Sequence, residues 1–69
     1  MSAPLSHLVR ELARAQKASE RASAARAALP PGSSRARVTT ANARWMRAAE
    51  HRDRLLAQVE ALRGNAVSP

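Results

Sequence analysis

One interruption governs what this chain can fold into. Leu29-Pro30-Pro31-Gly32-Ser33-Ser34 sets two prolines and a glycine side by side near the middle of 69 residues. Proline drives the residue before it out of helical geometry and removes a backbone donor, while glycine opens the left-handed conformations that turns use. On either side nearly every residue is a good helix former, Ala alone filling 17 positions. The pattern predicts an all-α fold: an antiparallel hairpin with one helix over about 3–29, a turn over 30–33, a second helix over about 34–63 and a frayed tail over 64–69.

The end signals are local. Ser2 or Ser6 can cap the first helix, and Pro4 is tolerated in its first turn. Ser34 is placed to cap the second, unless the Val38-Thr39-Thr40 run delays its start to Thr39. Gly64-Asn65 reads as a C-terminal stop.

Spacings of three and four define a seam on each helix. The first carries Leu5, Leu8, Leu12, Ala15, Ser19, Ala22, Arg26 and Leu29, with Val9 beside it. The second carries Val38, Ala41, Trp45, Ala48, Arg52, Leu55, Val59 and Leu62. Helices joined by so short a turn lie antiparallel, so facing residues have numbers that sum to a constant of about 64. Trp45 then falls beside Ser19 and Ala22, whose small side chains leave room for an indole. Leu5, Leu8 and Leu12 face Val59, Leu55 and Arg52, which makes a Leu-rich open end and an Ala-rich turn end plugged by Trp45. Two arginines thus occupy seam positions. Arg52 is expected to reach Glu11; Arg26 has no acidic neighbour and must snorkel to solvent or meet an anion.

A chain this short buries little of its surface and needs a staple. With no Cys there is no disulfide, and the only histidines, His7 and His51, are about four residues out of register for a shared metal. A second copy is therefore expected: two hairpins pairing into a homodimeric four-helix bundle, with Leu5, Leu8, Leu12, Trp45, Leu55, Val59 and Leu62 as its core or interface. The architecture is similar to that of small plasmid-type RNA-binding regulators, which pair two helical hairpins; no residue motif carries the likeness, and no site residue follows from it.

Catalysis is not expected. The serines lack a Gly-rich elbow, and Glu50, His51 and Asp53 sit on successive helical positions that point in different directions. No Walker A or dinucleotide fingerprint exists, and no cofactor or metal site is expected.

Charge says more. Twelve basic residues, eleven of them Arg, oppose five acids for a net charge of +7. Glu50 is spaced to pair with Arg54 and Arg47, Glu60 with Arg63, and Glu20 with Lys17. Between Arg26 and Ala49, by contrast, lie five Arg and no acid: Arg26, Arg35, Arg37, Arg44 and Arg47. On the second helix Arg37, Arg44, Arg47 and Arg54, with His51, share an arc of about 100° flanking the seam. Arg35, Arg37, Arg44 and Arg47 are accordingly the candidate phosphate-contacting residues, with Ser33, Ser34, Thr39, Thr40 and Asn42 as hydrogen-bonding neighbours. Trp45 is the only aromatic residue and is claimed by the core, which argues against recognition by base stacking.

The expected role is a small helical-hairpin regulator associated with nucleic acid through backbone phosphates. The alternative is a protein-interaction module, an adaptor or small subunit docking its apolar seam on a larger partner. A membrane partner is disfavoured, since no apolar run nears 18 residues and aromatic anchors are missing. Lacking the n- and h-regions of a secretory leader, the chain is expected in the cytoplasm.

Overall fold

A computed structural model describes residues 4–67 as two packed α-helices, α1 (Pro4–Ala27) and α2 (Arg35–Val67). They run side by side over a body whose principal extents are 55 × 20 × 13 Å. The expected tail residues 68–69, and Met1, Ser2 and Ala3 with the cap assigned to Ser2, lie outside the described residues.

The chain reversal is a β-turn. The Ser33 amide donates to the Pro30 carbonyl at 3.1 Å, with Pro31 and Gly32 at the two central positions and Gly32 at φ +83°. Proline first and a positive-φ glycine second is the type II arrangement. The Ser33 hydroxyl donates to the same carbonyl at 2.6 Å. α1 stops at Ala27 rather than 29 because Pro30 forbids helical geometry at Leu29. Ser34 then caps α2, its Oγ accepting from the Arg37 amide at 3.2 Å. The β-branched run at 38–40 does not delay the start.

At the other end the expected stop fails. α2 continues through Gly64 to Val67. A glycine ends a helix by taking positive φ, and Gly32 is the only residue that does so among the described residues. Kept helical, Gly64 costs about 1 kcal/mol relative to Ala, which a long helix absorbs.

The seam packs as the spacing predicts. Ala15, Ser19, Leu55 and Val59 are buried, and Leu5, Leu8, Leu12, Ala22, Leu29, Ala41, Trp45, Ala48 and Leu62 are half-buried. Val38, at the seam's outer edge, is exposed. Ala22, Ala25 and Leu29 of α1 and Ala36, Thr40 and Ala41 of α2 line one groove, as an antiparallel register near 64 allows, but the cross-helix side-chain contacts of Arg52 with Ser19 and of Arg26 with Trp45 each sum to 71. Side-chain contacts between seam arginines and the opposite helix lie about two turns off that register. Helical side chains lean toward their own N-terminus, so partners on antiparallel helices lean toward each other, and a long arginine spans the difference.

Arg52 therefore does not reach Glu11. Its head leans toward the turn, donating to the buried Ser19 hydroxyl at 3.1 Å and to Asp53 at 3.0 Å. Glu11 instead pairs with Arg14 at 3.4 Å. Arg26, the seam's other cation, lies over the Trp45 ring at 4.7 Å from its centroid. Trp45 is thus a half-buried shelf carrying an arginine, rather than a sealed plug.

Candidate nucleic-acid interface

Two features place the arginines of the middle segment in solvent. The turn holds the start of α2 at the tip of the rod, and the seam leaves one flank of each helix uncovered. Arg26, Arg35, Arg37, Arg44 and Arg47 are all exposed, and so are His51 and Arg54. Among the described residues none of these arginines has a carboxylate within 4 Å; the ion pairs there are Arg14–Glu11 and Arg52–Asp53. The anticipated pairs of Glu50 with Arg54 or Arg47, Glu60 with Arg63 and Glu20 with Lys17 do not form among the described residues. Exposed pairs of this kind gain little against the entropy of holding two long side chains.

The five acid-free arginines do not act as one patch. Arg26 is committed to Trp45. Arg35 and Arg37 are two positions apart, so they diverge by about 160° around the helix. Arg37 and Arg44 come together on one wall of a groove of about 620 Å³ between the helices at the turn end. Arg47 and Arg54 continue along that flank, as helical geometry requires. Arg35 stands outside the groove.

The groove brings in a residue that sequence reasoning missed. Arg21 of α1 forms part of its opposite wall, with Ala22, Ala25 and Ala41 beneath and Thr40 beside Arg44. The signal was available: Arg21 precedes the seam residue Ala22, and at a constant of about 64 it falls level with Arg44. Among the hydroxyl and amide residues, Ser33 and Ser34 are spent on the turn and cap, and Asn42 is half-buried. Thr40 alone of that set lines the groove.

Among the described residues, no three His, Asp or Glu side chains gather closely enough to hold a metal ion. No described helix is long and apolar enough to cross a membrane. The fold thus defines a two-helix antiparallel hairpin bearing a basic groove at its turn. No family model, curated protein or solved structure matches the chain.

Proposed function

We propose that the chain is a non-enzymatic nucleic-acid-associated regulator, working as a homodimer of hairpins and contacting backbone phosphates through Arg37, Arg44 and Arg47, with Arg35 adding to the field at the turn. One observation carries the reading: these arginines are exposed and, among the described residues, have no carboxylate within pairing distance. Charges left unneutralised on one flank attract a polyanion and release its counterions on binding. Salt-dependent retention of duplex DNA or RNA tests it. Retention should weaken steeply between low and moderate salt. An absence of binding at micromolar protein, or affinity indifferent to salt, sinks it.

The dimer is supported by how little the hairpin covers. Among the described residues only Ala15, Leu55, Val59 and Ser19 are buried, while Val9, Val38, Met46 and Leu56 stand exposed. The same exposed residues favour the second reading, an adaptor that docks on a larger protein. Sedimentation of the pure chain separates the two: a dimer in isolation supports the bundle, whereas a monomer that retains no nucleic acid supports the adaptor. A cytoplasmic setting accords with either reading.

A further inference from the structure

We propose that the phosphate-contacting surface is two-sided: Arg21 of α1 forms one wall, Arg37 and Arg44 of α2 form the other, and the backbone ridge of a nucleic-acid duplex lies along the groove between them. This rests on the reading just given and assigns its geometry. Shape comes first. The hairpin is 20 × 13 Å in section, whereas the major groove of B-DNA is about 12 Å wide and admits a single helix. The broad face of two packed helices does not enter it. The fit runs the other way, with the projecting phosphate ridge entering the protein's groove.

The lining matches that ligand. Arg21, Arg37 and Arg44 rise on opposite sides of the groove, all exposed and none paired with an acid among the described residues. Glu20, the acid beside Arg21 in sequence, is turned about 100° away around α1. Besides the arginines, Ala22, Ala25, Leu29, Ala36 and Ala41 offer only apolar groups, and Thr40 a single hydroxyl. Such a floor has almost nothing with which to distinguish base edges, so binding follows the backbone and tolerates sequence. DNA and RNA duplexes share the phosphodiester chemistry, and both serve as probes.

The experiment separates an oriented groove from diffuse attraction by net charge. Full-length chain is titrated into a labelled 20-base-pair DNA duplex and its RNA counterpart over a salt series, following anisotropy, with helicity checked by circular dichroism. Arg21→Ala and Arg63→Ala each remove one charge, the second from an exposed position outside the groove. Ala25→Glu and Ala13→Glu each add one negative charge at an exposed alanine, only the first in the groove. Arg21→Ala should lower the salt slope by about 0.9, as Arg44→Ala does, while Arg63→Ala leaves it close to that of the parent chain. Ala25→Glu should weaken both duplexes at least about tenfold more than Ala13→Glu, a difference of about 1.4 kcal/mol. Equal effects within each charge-matched pair overturn the groove and leave the basic-regulator reading intact. So does a slope that responds to Arg44→Ala but not to Arg21→Ala. If the parent chain binds neither duplex, both readings fall together.

Discussion

A charged side chain on an apolar seam needs partners for its polar head, and Arg52 finds two without leaving the seam. It meets Ser19, which is only 3% exposed, and Asp53, which remains at the surface. The two ends of the Ser19 contact are unequal. Removing the serine hydroxyl lets the half-exposed guanidinium return to water, so Ser19→Ala should destabilise by about 0.5–1 kcal/mol. Removing the guanidinium strands a buried hydroxyl, so Arg52→Ala should cost more, about 1–3 kcal/mol. Chemical denaturation of both variants checks the order, and the reverse order refutes this account. Arg26 meets a different need, since Trp45 is its partner. Arg26→Ala should cost about 0.5–1 kcal/mol, the size of an exposed cation–π contact, and should alter Trp45 fluorescence in the folded state. An unchanged emission spectrum would count against the stack. That both arginines sit on the seam was readable from spacing; their partners were not. Spacing fixes the level of a Cα, while the lean and reach of a long side chain decide which atoms meet.

The chain's two glycines make the helix boundaries testable with one kind of substitution and opposite expected signs. At Gly32, φ is +83° and a Cβ would meet nothing within 4 Å. Gly32→Ala should therefore destabilise through backbone strain alone, by about 1–2 kcal/mol. Gly64 takes helical φ and is equally open, so Gly64→Ala should stabilise by about 0.5–1 kcal/mol. Thermal melts of the two variants decide both. If Gly64→Ala destabilises, α2 ends near residue 64 after all. The turn was the easier element to read, because Pro30-Pro31-Gly32 leaves the backbone little choice. The end of α2 was not, because glycine marks a stop only when something favours the left-handed conformation, and a helix that continues is also allowed. Ser34 illustrates the favourable case: a cap residue placed directly after a turn, whose hydrogen bond to the Arg37 amide starts the helix ahead of the competing β-branched run at 38–40.

As a whole molecule, the hairpin is short of buried surface. Val59, 2% exposed, is the one large side chain that is almost fully covered among the described residues. Fully burying a side chain of that size stabilises by about 1.5–3 kcal/mol, a modest return against the ordering of two long helices. If the proposed dimer supplies the remainder, the melting temperature should rise with protein concentration. Charge introduced at Val9 and Leu56, which are both 39% exposed, should abolish that dependence and hold the melting temperature at the low-concentration value of the parent chain. A melting temperature independent of concentration over two decades would argue for a self-sufficient hairpin. The antiparallel pairing was legible in the sequence because a short turn and two long periodic segments permit little else. The basic groove was half legible: its α2 wall appears as an arginine arc in one stretch of chain, whereas Arg21 joins it only after folding, from 16 residues before Arg37 and 23 before Arg44. The reversal at Gly32 also has a mechanical consequence. It returns the last turn of α2 to the end of the rod where α1 begins, so anything fused to either side of the hairpin is carried at one pole, and the arginine-lined pole is held out from it along a rod 55 Å long. A hairpin tethered at its open end behaves as a boom, presenting its basic tip clear of whatever anchors it.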